Sequence, residues 1–250
     1  MSEVNVTQGM QELLSRLPKT DTLEYRSVLE PEYRRRHIAL SLTSGNLLLA
    51  LHRAREAQEM AVSYRDFKVG AAIVGLAFRP SSLQVMTGVN VKPDEESAMN
   101  VHAEQVALQK TRDRHFDVAS MVVVVGNTQS DKQSGNEMPT LHPCGLCRNV
   151  MLNDPLVDSK ASLIVSALPD FSKIELYNLE SLHAYHESHD KSGITQLDLP
   201  YLPSLFNPIN ESGPVHTLID TPQTLEDERV WNETAGSFLT MHRLELLNSL

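Results

Sequence analysis

Four consecutive valines, Val122–Val125, lie inside the apolar stretch Val118–Val125. Side chains branched at Cβ favour extended backbone. A strand without polar alternation has no face to give to water, so it belongs in a sheet covered on both sides. The flanking segments supply the rest of that sheet and its covers. Val69–Ala77 is short and apolar and reads as a strand, and Leu83–Val91 reads as its partner after a turn at Pro80–Ser82. His102–Arg112 reads as a helix, with Ala103, Val106, Ala107 and Lys110 suited to that state. Cys144–Asn153 reads as a second helix, stopping before Pro155, and Ala161–Ala167 as a further strand. This β-β-α-β-α-β order predicts an α/β fold of three layers, α/β/α, with a mixed sheet.

The flanks are different in character. Residues 1–31 are polar apart from a short amphipathic piece at Met10–Leu17. Over residues 32–63, Ile38, Leu42, Leu47, Leu48, Leu51 and Ala54 recur near helical spacing. Gly45 is expected to divide that helix. Gln129–Thr140 is polar and contains glycine, so it reads as a loop. From about Ser188 the chain turns polar and proline-rich until a final helix at Phe238–Leu250. The expected organisation is an N-terminal helical segment (1–44), a central domain (45–187) and a C-terminal extension (188–250). The extension reads either as a reduced second domain or as an arm across a partner.

Composition removes several classes of function. No stretch approaches the roughly 18 uninterrupted apolar residues of a membrane helix. The N-terminus lacks the basic flank and apolar run of a secretory signal. With 22 Lys+Arg against 32 Asp+Glu the formal charge is −10, which disfavours a long polyphosphate partner. The only cysteines, Cys144 and Cys147, are too few for a disulfide scaffold, so a reducing cytoplasm is the expected setting.

A C-x-x-C pair by itself fits either redox chemistry or a metal. Here Pro143 precedes Cys144, and His102-Ala103-Glu104 opens the helix upstream. His-x-Glu followed by Pro-Cys-x-x-Cys is the signature of zinc deaminases. One imidazole and two thiolates fill three of zinc's four tetrahedral positions and leave one for water. The positive end of each helix favours thiolate over thiol. His102, Cys144 and Cys147 are therefore the expected ligands of one zinc ion. Glu104, two residues past His102, is expected to stay off the metal and act as proton shuttle for hydrolytic loss of an amine from a cytosine ring, with zinc-activated hydroxide as nucleophile.

The sequence resembles the cytidine deaminase family, nearest its dimeric branch with one His and two Cys. The resemblance runs from about Gly45 to Phe206. It rests on Phe67-Lys68-Val69-Gly70-Ala71-Ala72, Gly88-Val89-Asn90-Val91, His102-Ala103-Glu104-Gln105 and Pro143-Cys144-Gly145-Leu146-Cys147-Arg148, with a weaker echo at Leu202–Phe206. It implies a cytidine deaminase-like fold and conversion of cytidine and deoxycytidine to the uridines, a step of pyrimidine salvage. It also implies a homo-oligomer, with a dimer favoured. Phe67 would stack on the pyrimidine, Asn90 would bond the ribose, and the Ala103 backbone would meet the base carbonyl. The His142 carbonyl would accept from the amino group, and Arg148 would temper the thiolate charge.

Two positions depart from the family pattern. Lys92 stands where the family has a Glu that grips the ribose, which reverses charge and hydrogen-bond direction. Either Asp94, Glu95 or Glu96 replaces that Glu, or Lys92 meets an anionic group on a modified nucleoside or a nucleotide. His142 stands where Ser or Thr is usual, at a position where the backbone alone is needed. Two further clusters read first as solvated helix faces: Arg34-Arg35-Arg36, with a nucleic-acid or phosphate contact as the lesser alternative, and His183, His186 and His189 at spacing three, with a second metal site as the lesser alternative.

Overall fold

A computed structural model describes residues 30–64, 66–77, 82–94, 100–128, 138–198, 229 and 231–248. The expected turn at Pro80–Ser82 falls mostly outside these residues, as do Met10–Leu17, Glu95, Glu96, 129–137 and Leu202–Phe206. By residue contacts the chain divides into Met1–Tyr33 and Arg34–Leu250.

The valine run sits at the centre of the sheet. It belongs to β5 (Phe116–Gly126), which lies between β2 (Val69–Ala77) and β6 (Leu163–Ala167) in the order β3-β2-β5-β6-β7-β8. β3 is Ser82–Val89, β7 is Lys173–Asn178 and β8 is Thr195–Asp198. β5 pairs parallel with β6, and every other pairing in this sheet is antiparallel, so the sheet is mixed as expected.

Each valine is fully buried, and alternate ones enter different cores. Val123 and Val125 join a cluster with Leu47, Leu51 and Ala54 of α2 (Ser44–Glu59) and Ile38 of α1 (Glu30–Ser41). Val122 and Val124 join a second cluster with Ala103, Ala107 and Leu108 of α3 (Ala103–Asp113). Met151 of α4 (Gly145–Leu152) and Leu182 of α5 (Leu179–Ser188) belong to that same cluster. Period-2 side-chain alternation on a strand is what divides one apolar run between two helical layers.

Two glycines set how closely those layers approach the sheet. A Cβ at Gly70 would lie 2.0 Å from the Ala54 carbonyl oxygen of α2, and one at Gly88 would lie 2.1 Å from the Ala103 carbonyl oxygen of α3. Only glycine admits backbone that near, and the second contact seats the start of α3 against β3.

The long N-terminal helix divides, but not at Gly45. It breaks at Leu42–Thr43, where the Thr43 hydroxyl accepts from the Asn46 N–H at 3.1 Å and caps α2. A Thr cap with extended backbone ends one helix and starts the next more firmly than a glycine within the first turn. The pairing after β3 also differs from expectation. Asn90 interrupts it, and Val91–Lys92 (β4) forms a separate parallel pair with β1 (Val62–Ser63). Three elements, β7, α5 and β8, follow Ala161–Ala167 with no counterpart in the expected order. The final helix, α6, spans Ser237–Asn248 after a π-turn at Asn232–Gly236. Its Leu239 and Leu246 join the α2-side core with Trp231, whose indole N–H donates to the Ser44 carbonyl at 3.2 Å. No helix among the described residues is long and apolar enough to cross a membrane.

Candidate metal centre

His102 and Cys144 occupy equivalent places in two helices. Each is the N-cap residue, His102 of α3 and Cys144 of α4, with extended backbone. The Gln105 side chain accepts from the His102 N–H at 3.3 Å, while the Cys144 carbonyl accepts from the Arg148 N–H at 2.9 Å. Cys147 lies in the first turn of α4 and is fully buried. The start of α3 is seated against the C-terminal part of β3 at Gly88, and the start of α4 comes up to it, so residues about forty apart in sequence converge. His102 Nδ1 lies 3.3 Å from each sulfur. The three ligand-type atoms all lie within 4.8 Å of one another.

This donor set fits zinc: one imidazole nitrogen and two sulfurs, gathered at the positive ends of two helices. A hydrogen bond from Cys147, aided by His102 and opposed by burial, holds the Cys144 thiol down to about 3. The same hydrogen bond, with burial and the Glu104 carboxyl, pushes Cys147 up. The Cys144 sulfur in turn raises His102 against burial and against the charge of Lys92. Arg148 lies within electrostatic reach of both sulfurs and donates to the Pro143 carbonyl at 2.9 Å, which ties its guanidinium to the residue before Cys144.

Glu104 is 5% exposed in the first turn of α3. Burial raises its pKa, as does the charge of Cys144, while its own backbone N–H, His102 and Cys147 oppose the rise. Spacing two on a helix would turn Glu104 away from His102. Because His102 lies outside the helix with extended backbone, both instead line one cavity. Among the described residues the ligand cluster contains His102, Cys144 and Cys147 without Glu104.

The cavity has a volume of about 370 Å³. That is near the lower end of the roughly 300–1,000 Å³ of small-molecule sites. One side comes from Val69 of β2, Lys92 of β4 and the residues Phe67 and Asn90 that lead into those strands. The other comes from residues 138–148 and α5: Met138, Leu141, His142, Pro143, Arg148 and His186. Apart from the candidate carboxylates at 94–96, the site residues expected from the sequence therefore lie in or beside one cavity.

Three of them have partners that the sequence does not reveal. Asn90 is 1% exposed, and its side chain accepts from the Val69 N–H at 2.7 Å and donates to the Phe67 carbonyl at 2.8 Å. It pins the segment that carries Phe67, and each of its polar atoms retains capacity for one more hydrogen bond. Lys92 Nζ lies 5.8 Å from the centre of the Phe67 ring, within cation–π range. Asp94 is exposed, and its carbonyl accepts from Asn100. His142 uses more than its backbone. Its Nε2 lies 3.0 Å from Glu175, and its Nδ1 lies 3.4 Å from His186 Nε2.

Sequence reasoning misses Glu175 and His186. Glu175 interrupts the apolar run of Ile174 and Leu176, and a lone carboxylate within such a strand is a readable signal. His183 and His189 are exposed, and His183 pairs with Glu187 at 2.9 Å, so they fit the solvated reading. His186, between them, is half-buried and lines the cavity.

Residues 46–156 match the family described as the cytidine and deoxycytidylate deaminase zinc-binding region, a span that contains His102, Glu104, Cys144 and Cys147. No curated protein matches the chain. Among solved structures, a cytidine deaminase from Burkholderia pseudomallei is 23% identical over 54% of this chain and 94% of its own, with a TM-score of 0.41. A cytidine deaminase from Mycobacterium leprae is 19% identical over 55% of this chain and 96% of its own, with a TM-score of 0.37.

Proposed function

We propose that this chain, which carries the zinc-binding region of the cytidine and deoxycytidylate deaminases, converts cytidine and deoxycytidine to uridine and deoxyuridine. The observation that carries the reading is the buried Glu104 carboxyl beside Cys147, on the same cavity as the three ligand-type atoms. A structural zinc site takes four protein ligands and has no use for a buried proton carrier.

A zinc ion held by His102, Cys144 and Cys147 supplies Lewis acidity, enough to lower the pKa of water from 15.7 to about 7. The chain's own residues do the remainder. Phe67 stacks on the pyrimidine, the Ala103 backbone meets the base carbonyl, and Asn90 uses its spare hydrogen-bonding capacity on a ribose hydroxyl. The His142 carbonyl accepts from the exocyclic amino group. As water adds to C4, Glu104 takes one proton from it and passes it to ring N3, then takes the remaining hydroxyl proton and passes it to the amino nitrogen. The C4–N bond breaks, ammonia leaves, and the added oxygen becomes the uracil carbonyl. Arg148 offsets the charge of the two sulfurs.

Within this reading residues 45–187 form the catalytic domain, flanked by the helical segment 1–44 and the extension 188–250. The enzyme works as a cytoplasmic homodimer in pyrimidine salvage, with one zinc per subunit. The test is to incubate the zinc-loaded protein with cytidine, deoxycytidine, CMP and single-stranded DNA while following ammonia and the pyrimidine product. Turnover of the free nucleosides is expected; turnover of none of the four would overturn the proposal.

A second reading rests on Lys92. It lines the cavity where a ribose-binding carboxylate is the family pattern, and an ammonium there suits an anionic group on a modified nucleoside or a nucleotide. Lys92→Glu separates the two. If Lys92 binds an anion, the ratio of kcat/KM for CMP to that for cytidine falls by about tenfold or more. An unchanged ratio leaves Lys92 as a support for the Phe67 ring.

A further inference from the structure

A connected series of polar side chains runs from the interior of the second core to the cavity wall. At its buried end Glu175 is 4% exposed on β7, between Ile174 and Leu176, which point into the opposite core. Its Oε2 accepts from the Thr140 hydroxyl and from His142 Nε2. Burial by itself would raise the Glu175 carboxyl, yet the bonds from His142 and Thr140 outweigh it and the pKa is lowered. The Thr140 hydroxyl and His142 Nε2 thus converge on one carboxyl oxygen. That contact fixes the orientation of the imidazole and turns Nδ1 towards His186 Nε2 at 3.4 Å. The rings of His142 and His186 meet edge to face with centroids 5.4 Å apart, and Tyr185 braces both, at 5.3 Å and 5.2 Å.

A buried carboxylate is expensive unless its partners need it. An apolar residue at position 175 would serve the fold of β7 as Ile174 and Leu176 do. What Glu175 adds is a fixed His142, and what His142 adds is a fixed edge for His186 on the cavity wall. An imidazole can donate and accept, which suits a hydroxyl or amide edge better than it suits an apolar surface.

We propose that His186 is a substrate-contacting specificity residue that hydrogen-bonds a polar group of the pyrimidine nucleoside, and that Glu175 is its positioning residue, acting through His142. The proposal rests on the deaminase reading above. A contact of this kind is made with the bound substrate and with the transition state alike, so it appears in KM and leaves kcat nearly unchanged.

The experiment measures cytidine turnover, cytidine affinity by calorimetry and zinc content for five proteins. These are the wild type, His186→Leu, His186→Gln, Glu175→Gln and the double variant His186→Leu/Glu175→Gln. Each single variant keeps the approximate shape of the side chain it replaces. His186→Leu is expected to raise KM and the dissociation constant about tenfold, with kcat within about threefold and zinc unchanged. His186→Gln, which keeps a donor and an acceptor, recovers most of that affinity. Glu175→Gln raises KM about threefold on its own and has no further effect beside His186→Leu, because a residue that acts only through His186 has nothing left to position.

Wild-type KM in His186→Leu, or a loss confined to kcat, overturns the role of His186. Additive effects in the double variant overturn the role of Glu175, since a purely structural contribution would persist without His186. A wild type that binds cytidine without turning it over defeats the deaminase reading while leaving the affinity series to judge this proposal. A wild type that neither binds nor deaminates cytidine overturns both.

Discussion

The two sets of residues that line the cavity are assembled in opposite ways. In the metal cluster, His102, Glu104, Cys144 and Cys147 come from the starts of two helices, each within a few consecutive residues. In the rest of the lining, Asn90, Lys92, His142 and His186 come from separate segments, and Asn90 and His142 are oriented by partners elsewhere, Val69 and Phe67 for the first and Glu175 for the second. The first set is a pair of local motifs whose geometry follows from helix capping. The second is a product of packing.

The sharpest way to break that contrast is Glu104→Ala. If the metal end is a self-contained local unit, the variant keeps one zinc per chain and loses turnover by about 10³-fold or more, near the upper part of the range for a single proton-transfer group. Metal analysis beside an ammonia assay checks both halves. Zinc loss together with activity would mean that Glu104 helps hold the site rather than acting on substrate.

Gly88→Ala probes a long-range contact on which the metal end depends. The new Cβ would approach the Ala103 carbonyl oxygen to 2.1 Å and the Ala107 amide nitrogen to 2.5 Å, so α3 must move off β3. A loss of about 1–3 kcal/mol in folding stability is expected, as for other overpacked sites, with weaker zinc retention during chelator titration. Wild-type stability and metal affinity would show that the helix start is placed by something else.

The smallest expected effect belongs to the wall formed by His142 and His186. The pKa of Glu175 is lowered in the folded protein because the bonds from His142 and Thr140 exceed the effect of burial. A depressed carboxyl stabilises the fold above its unfolded pKa of about 4.3, and that contribution is lost as pH falls through the lower folded value. The stability difference between wild type and Glu175→Gln should therefore be largest near neutrality and shrink below about pH 4. Urea denaturation across pH 3–7 measures it. A difference that stays flat with pH would mean that Glu175 is not an ionised anchor for the wall.

Much of the frame is legible in the amino-acid sequence. β2 matches the expected strand Val69–Ala77 at both ends, because its residues are apolar throughout and bounded by charge and Pro80. The helix starts are legible because ligand residues and a preceding proline mark them. The break before α2 falls two residues ahead of the expected Gly45, since Thr43 is the better cap. Helical spacing reads His186 as surface because spacing alone cannot tell a solvated face from a cavity wall. Glu175 escapes notice because one carboxylate in an apolar strand acquires meaning only when its partner is known, and His142 lies 33 residues away.

The sequence by itself determined the double-faced sheet and the chemistry of the metal end. Four valines leave a strand no solvent face, and two short motifs contain their whole ligand set within a helical turn of each start. Only the tertiary structure decided that Asn90 holds the Phe67 segment, that Lys92 sits against its ring, and that Glu175 sets His142 beside His186. Capping and alternation are local and repeat with the chain. A hydrogen bond between distant side chains depends on strand order and register, which no short stretch of sequence contains.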